Sequence, residues 1–115
     1  MSDNCLFCKI IKGDIPSDKV YEDDHCYAFR DINPQTPVHV LVVPKRHVAG
    51  LNDTEALPDS ELAACLRAAK AIAQKEGVAD SGYRVLTNCG PDACQSVHHL
   101  HFHVMGGRLM SENMG

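Results

Sequence analysis

Four of the seven histidines of this chain lie in one run, His98-His99-Leu100-His101-Phe102-His103-Val104-Met105. Successive side chains of an extended strand point to opposite faces of a sheet. One face is therefore expected to carry three imidazoles, those of His99, His101 and His103. The opposite face is expected to carry three apolar side chains, those of Leu100, Phe102 and Val104. Valine, isoleucine or threonine would serve a half-buried strand better, so the alternating imidazoles predict a chemical role. Neutral imidazole acts near pH 7 as a nucleophile, a proton carrier or a metal ligand.

The length and composition of the chain indicate one small soluble domain that spans residues 1–115. The formal net charge of −4 argues against broad binding to nucleic acid or to an anionic membrane surface. The sequence has no basic start followed by an apolar run, and no stretch of about 18 apolar residues, so we expect a cytoplasmic protein. In that compartment the six cysteines are expected to stay reduced instead of forming a disulfide framework.

Hydrophobic periodicity predicts an α+β fold with a five-stranded, mostly antiparallel sheet, one short helix and one long helix. The strands are predicted at residues 20–22, 26–30, 38–43 and 83–87 and in the histidine run. The helices are predicted at residues 5–12, ended by Gly13, and from about Pro58 to Glu76, ended by Gly77. The core-facing positions of the long helix are predicted to be Leu62, Cys65, Leu66, Ala69, Ile72 and Ala73. Segment 38–43 is nearly all β-branched, so it should be the central strand.

The string His99–Met105 resembles the pattern His-x-His-x-His followed by two apolar residues, which is typical of the histidine-triad (HIT) family of nucleotide hydrolases and transferases. The similarity runs along nearly the whole chain, through segments 5–11, 31–35, 43–47 and 106–108. Within the family the chain looks like the histidine-triad nucleotide-binding branch, the nucleoside phosphoramidases. The resemblance implies a two-fold homodimer in which the sheets of both subunits join, with each nucleotide site near the interface.

The resemblance also implies roles for the histidines. His101 would be the nucleophile that attacks the α-phosphorus of a purine nucleotide and forms a nucleotidyl-histidine, which water then hydrolyses to AMP or GMP. Such an imidazole must be neutral and held in one tautomer, and a flanking backbone carbonyl can hold it. His103 would position the phosphate. His39 is usual for a core histidine when judged on its apolar neighbours alone, but the family pattern places a histidine there beside the triad.

The loop 88–96 is expected to carry the phosphate, because its small residues let backbone N–H groups turn towards an anion. By the resemblance Ser96 hydrogen-bonds the phosphate and the leaving group, and Asn88 is a second phosphate contact. An ordinary polar loop is the alternative. Ala93 and Cys94 stand where the family commonly has two glycines, and their side chains could narrow the leaving-group side of the site.

The nucleoside would be held by Asp31 and an apolar slot. A single aspartate before a turn is more often a turn former, but the equivalent family residue accepts hydrogen bonds from the ribose hydroxyls. The residues that match the slot for the base are Phe7, Ile10, Phe29 and Ile32. Each of these four is also a suitable core residue, so the residue types alone do not separate the two interpretations.

A separate motif, Cys5-x-x-Cys8, fits a redox pair, half of a zinc site or no special role. The zinc-containing subset of the family completes such a site with the histidine after Pro-Lys-x and with the first triad histidine. Those positions are His47 and His99 here, so the resemblance implies a closed, structural Zn²⁺ site with two cysteine and two histidine ligands.

The resemblance implies a purine nucleoside phosphoramidase that hydrolyses the P–N bond of adenosine or guanosine 5′-monophosphoramidates. Two alternatives stay open: a dinucleoside polyphosphate hydrolase, and a nucleotide-binding interaction protein without catalysis. The tail lacks the tryptophan found near the end of many animal members, and Glu112 falls at about that position. An acidic residue at this position would bear on the leaving-group preference, so the family's specificity for particular amines is not carried over to this chain.

Overall fold

The structure, a computed structural model, describes residues 4–114. These residues contain five strands and two α-helices. The ends of the predicted domain, residues 1–3 and 115, lie outside this range. The α-helices are α1 (Leu6–Lys12) and α2 (Asp59–Lys75), and the strands are β1 (Lys19–Glu22), β2 (Cys26–Arg30), β3 (Val38–Pro44), β4 (Tyr83–Leu86) and β5 (Phe102–Gly106). Two 3₁₀ turns, Leu51–Ala56 and Pro91–Ala93, were not predicted. Within the described residues, no helix has the length and apolar character that crossing a membrane requires.

The strands form one sheet in the order β1-β2-β3-β5-β4, and each pairing is antiparallel. The prediction that residues 38–43 form the central strand is confirmed, since β3 pairs with β2 on one side and β5 on the other. Its side chains are buried from His39 onward, as expected for a run of β-branched residues covered on both faces.

The regular part of the histidine strand is shorter than predicted. The last β3–β5 pair joins Val42 to Phe102, so β5 begins only after the first three histidines of the run. Before that point the backbone N–H of Leu100 donates to the carbonyl of Val48, at 2.8 Å, instead of to β3. The physical reason is that the His99 side chain turns into a cluster of cysteine and histidine side chains, which draws this segment off the ladder.

The two faces of the sheet have different covers. Helix α2 covers one face, whose buried side chains include Val40, Val42, Leu100, Phe102, Val104 and Ile72. Helix α1 lies on the other face, whose buried side chains include Phe7, Ile10, Tyr27, Phe29, Leu41 and Val43. The predicted apolar face below the histidines is therefore confirmed, and it packs against α2.

Both helices end where the sequence predicted, but the prediction that Leu66 of α2 faces the core was wrong. Gly13 caps α1 in the left-handed conformation with φ 86°, where a glycine has no Cβ to clash. In α2, Leu66 is 52 % exposed, whereas Ala68 is buried. The buried stripe runs through Cys65, Ala69 and Ile72, and Leu66 lies one residue, about 100° of helix rotation, away from it.

Candidate active site and metal centre

A hydrogen bond to the backbone holds the His101 ring in place and sets which of its nitrogens carries the proton. Its Nδ1–H donates to the backbone carbonyl of His99 at 2.7 Å, and the Thr87 hydroxyl donates to the backbone carbonyl of His101 at 2.7 Å. The ring of Phe7 stands edge-on to the imidazole, with centroids 5.1 Å apart. Burial lowers the pKa of His101, opposed by its hydrogen bond to His99 and by Asp31. The neutral ring therefore carries its lone pair on Nε2, which is the state a nucleophile needs.

His103 and His39 form a hydrogen-bonded pair, which we call the histidine dyad. His39 Nε2 lies 2.8 Å from His103 Nδ1, and the backbone N–H of Gln35 donates to His39 Nδ1 at 3.0 Å. Burial lowers the pKa of His103 to about 4, helped by the neighbouring imidazoles. Burial also lowers the pKa of His39. Among the buried side-chain nitrogen and oxygen atoms of residues 4–114, only His103 Nε2 has no hydrogen-bond partner.

Asp31 lies beside the dyad at the end of β2. Its Oδ2 is 3.4 Å from His39 Nε2, and its Oδ1 accepts the backbone N–H of Asn33 at 2.8 Å. The carboxylate raises the pKa of His39 and of His103, against the larger effect of burial. Asp31 is thus in reach of both the dyad and the cavity next to it.

A cavity of about 250 Å³ opens on the histidine face of the sheet. It brings together most of the predicted nucleotide-binding residues: Phe7, Ile10, Phe29, Asp31, Ile32, Ser96, His101 and His103. Three further lining residues were not predicted: Leu6, Leu41 and Val97. Leu41 lies two residues after His39 in β3, so the side chains of both point to the same face of the sheet. This alternation is the sequence signal that could have identified Leu41 as a lining residue. A larger cavity, about 660 Å³, lies beside β4 and contains none of the histidines.

Not all predicted residues line this cavity. His39 lies behind His103 as its hydrogen-bond partner. Asn88 follows β4 and is not part of the lining. Ile32 does line the cavity but is 92 % exposed, so it stands at the rim.

The loop before Ser96 is fixed by Gln95. Its side-chain amide donates to the carbonyls of Ala49 and Val97, at 2.8 and 3.1 Å, and its Oε1 accepts the Gly90 N–H at 3.0 Å. Sequence reasoning did not give Gln95 this role. The preceding residue, Cys94, has φ 60° and is the only non-glycine with positive φ among the described residues. A cysteine therefore occupies a backbone conformation that favours glycine.

The four predicted metal ligands meet in one cluster. Their ligand atoms, one each from Cys5, Cys8, His47 and His99, all lie within 4.8 Å of one another. His99 Nδ1 is 3.3 Å from Cys5 Sγ, 3.5 Å from Cys8 Sγ and 3.1 Å from His47 Nδ1. In a tetrahedral zinc site with bonds of about 2.0–2.3 Å, neighbouring ligand atoms are about 3.3–3.8 Å apart. The spacing of the cluster suits such a site.

The surroundings of the cluster suit a metal as well. His99 Nε2–H donates to the carbonyl of Pro44 at 2.8 Å, which leaves Nδ1 unprotonated on the side of the cysteines. Burial lowers the pKa of His99 to about 4, which keeps its imidazole neutral, as a metal ligand must be. Burial next to Cys5 raises the pKa of the Cys8 thiol to about 11, so a bound cation would have to displace the thiol proton. Two soft sulfur donors and two imidazoles are the donor set of structural zinc, which would brace the fold and supply no reaction step.

Comparisons with known proteins identify the family of this chain. The family model of the HIT domain matches residues 12–110. The chain is 43 % identical to the purine nucleoside phosphoramidase of Escherichia coli over 108 residues, which cover 94 % of this chain and 91 % of that protein. It is 50 % identical to a 14 kDa zinc-binding protein of Zea mays, over 92 % of this chain and 84 % of that one.

A solved structure shows the same fold. The HIT family hydrolase from Clostridium thermocellum superposes with a TM-score of 0.95 at 44 % identity, over 99 % of both chains. Family model, relatives and fold thus agree along nearly the whole length of the chain. This chain belongs to the HIT family, in its histidine-triad nucleotide-binding branch, and is a hydrolase.

Proposed function

We propose that this HIT hydrolase cleaves the P–N bond of purine nucleoside 5′-phosphoramidates and releases AMP or GMP. The observation that carries the proposal is the state of His101, a buried, neutral imidazole whose Nδ1 is held by the His99 carbonyl beside a cavity of nucleoside size. The name of the Escherichia coli relative supports the same substrate class.

The reaction follows in two displacements. His101 Nε2 forms a bond to the α-phosphorus, the P–N bond breaks, and the amine leaves after taking up a proton from solvent. Water then attacks the same phosphorus and gives up a proton to solvent, the Nε2–P bond breaks, and the nucleoside monophosphate is released with His101 neutral again. Each displacement has a lower barrier than a direct attack by water, as is usual for covalent catalysis.

Charge on the phosphate needs hydrogen-bond donors. His103 Nε2 is buried without a partner, which is costly unless a ligand supplies an acceptor. A phosphate oxygen is such an acceptor. Ser96, placed by the Gln95 anchor at the edge of the same cavity, is proposed as the second contact, to phosphate and leaving group. Asn88 is proposed as a further phosphate contact, although it lies outside the lining of the cavity.

The purine is proposed to occupy the apolar part of the cavity. Phe7 and Phe29 meet edge-on there with centroids 5.4 Å apart, and Ile10 and the rim residue Ile32 complete the slot. Asp31 presents a carboxylate at the polar end, where it would accept hydrogen bonds from the ribose hydroxyls. The pocket therefore has one apolar end and one hydrogen-bonding end, as a nucleoside requires.

We further propose that the cluster of Cys5, Cys8, His47 and His99 binds Zn²⁺. Its donor set and spacing support this, as does the name of the Zea mays relative. One zinc ion per chain is the expected metal content of protein purified without chelator. Protein with no bound transition metal would contradict the proposal.

A homodimer is proposed through the edge strand β4. Tyr83 and Val85 of this strand are more than a third exposed, and Leu66 of α2 is exposed as well. Unpaired strand edges with apolar side chains favour pairing with another strand. Sedimentation should give about 25 kDa, twice the 12.6 kDa of one chain. The cytoplasmic location stays a prediction.

The test of the proposed reaction uses an adenosine phosphoramidate with a fluorescent amine leaving group. Wild-type protein should release the amine, and His101→Ala should lose at least about 10³-fold in kcat/KM, about 4 kcal/mol of transition-state stabilisation. His98→Ala, which removes an exposed histidine of the same run, is the matched control. Acid-quenched wild type should carry a nucleotidyl group on the peptide that contains His101.

A second substrate separates the alternatives. Faster cleavage of a diadenosine polyphosphate than of the phosphoramidate would favour the polyphosphate hydrolase. Binding of AMP without turnover of either substrate would favour a nucleotide-binding protein without catalysis.

A further inference from the structure

One backbone group outside the histidine dyad makes a nitrogen of His39 an acceptor, and Asp31 Oδ2, 3.4 Å from His39 Nε2, favours a proton on the other nitrogen. The Gln35 N–H donates to His39 Nδ1 at 3.0 Å, so this nitrogen is an acceptor and carries no proton. A neutral His39 must then carry its proton on Nε2. That nitrogen lies 2.8 Å from His103 Nδ1, and it donates there.

The same reasoning continues through His103. Because its Nδ1 accepts the proton of His39, its own proton must be on Nε2. His103 Nε2 is the buried atom without a partner. The dyad therefore presents an N–H donor at the position where the proposed function requires a contact to phosphate.

The opposite set of tautomers has the opposite effect. A proton on His39 Nδ1 would point at the Gln35 N–H, so two donors would face each other at 3.0 Å. His39 Nε2 would then accept from His103 Nδ1–H, and His103 Nε2 would present a lone pair. A lone pair repels a phosphate oxygen, so only one of the two arrangements suits an anion.

The loop that carries the Gln35 amide is well anchored. Pro34 and Pro37 flank it and restrict its backbone. The Thr36 hydroxyl donates to the Val38 carbonyl at 2.5 Å, and the Arg108 guanidinium donates to the Gln35 carbonyl at 3.3 Å. The Gln35 side chain points elsewhere, since its amide donates to the Asn33 carbonyl at 3.2 Å. The contact to His39 thus depends on the backbone of Gln35.

We propose that the backbone N–H of Gln35 is a positioning group of the site: it fixes the tautomers of His39 and His103, so that His103 presents an N–H donor to a bound phosphate. The effect on phosphate rests on the proposed function. The effect on the tautomers does not, because it concerns the protein without substrate.

The test removes the amide hydrogen and keeps the chain otherwise intact. Gln35→Pro lacks this N–H, and Gln35→Ala, the matched control, keeps it. Since a third proline in this loop can impair folding, a second variant replaces the peptide bond before residue 35 by an ester. It can be assembled from three synthetic segments joined at Cys26 and Cys65.

Ring-nitrogen NMR spectra of histidine-labelled protein at pH 8 give the tautomers directly. Wild type and Gln35→Ala should show His39 and His103 both protonated on Nε2. The proline and ester variants should move protons to Nδ1 of both rings and bind AMP about 10- to 100-fold more weakly, the usual effect of losing a hydrogen bond to a charged group. A role of Gln35 in folding alone would not change the tautomers.

Two results would overturn the proposal: a wild-type protein with His103 protonated on Nδ1, or an ester variant with unchanged spectra. Failure of the proposed function is seen separately, as wild type with the expected tautomers that does not hydrolyse the phosphoramidate.

Discussion

The half-buried imidazole of His103 should make the native state sensitive to acid. Its pKa is about 4 in the native state, against an ordinary value of 6.5, mainly because burial disfavours the charged ring. As the pH falls through about 6.5, the unfolded chain takes up a proton at this residue, while the native protein does so only near 4. Stability from this source is therefore complete above about pH 6.5 and is lost between these two values.

The magnitude follows from the shift. Between pH 7 and pH 4.5 an unscreened shift of this size removes about 2.4 kcal/mol of unfolding free energy. Because the ring is only partly shielded from solvent, we expect about half of that, roughly 1–2 kcal/mol. The asparagine of His103→Asn does not titrate in this range. Between pH 7 and pH 4.5 the unfolding free energy of this variant should therefore decrease by roughly 1–2 kcal/mol less than that of wild type.

Urea unfolding followed by circular dichroism at pH 7, 6, 5 and 4.5 measures this difference. His98→Asn is the control, because it removes an exposed histidine from the same run. The variants share the cysteine–histidine cluster with wild type, so loss of metal at low pH affects all three proteins. Equal slopes for wild type and His103→Asn would refute the link between burial and acid sensitivity.

Three further changes test other parts of the structure. Cys8→Ser should lower the melting temperature by about 10 °C, corresponding to about 2 kcal/mol, and a chelator should lower that of wild type but not of the variant; wild type insensitive to chelator would contradict a structural metal. Cys94→Gly should raise the unfolding free energy by about 0.5 kcal/mol in urea, because relief of the left-handed backbone exceeds the entropic cost of glycine; destabilisation would contradict strain at this position. Gly107→Ala should lower the unfolding free energy by about 2–3 kcal/mol, because φ is 97° there and the added Cβ would lie 2.9 Å from the Cβ of Pro37. Gly77→Ala, which has open space around it, should lower the unfolding free energy by only about 1 kcal/mol. Equal losses for the two variants would contradict the steric argument.

The fold could be predicted where one physical effect dominates. The run of β-branched residues in β3 identifies a central strand because few other structures bury so many of them. The start of β5 could not be predicted in the same way. His99 is attracted by side chains that are 52 to 94 residues away in sequence, so its departure from the ladder is a tertiary effect.

For the candidate site, sequence patterns indicated the side chains but not their connections. The spacing of the histidines, with the family resemblance, predicted which imidazoles come together, and the cavity contains His101 and His103 as expected. The amide of Gln35 was not predictable, because a backbone N–H leaves no mark in residue identity. The Gln95 anchor was missed because its partner, the Ala49 carbonyl, is 46 residues away.

The two faces of the sheet have consequences for how this protein can change. Along β3, Val40 and Val42 pack under α2, while on the opposite face Leu41 lines the cavity and His39 contacts His103, so neighbouring residues of one strand serve separate purposes. Substitutions beneath α2 should alter the melting temperature with little effect on substrate choice, and substitutions around the cavity should do the reverse. Laboratory evolution of a new leaving-group preference can therefore act on the cavity face of the sheet. The packing under α2, left unchanged, supplies the stability that offsets destabilising substitutions around the cavity.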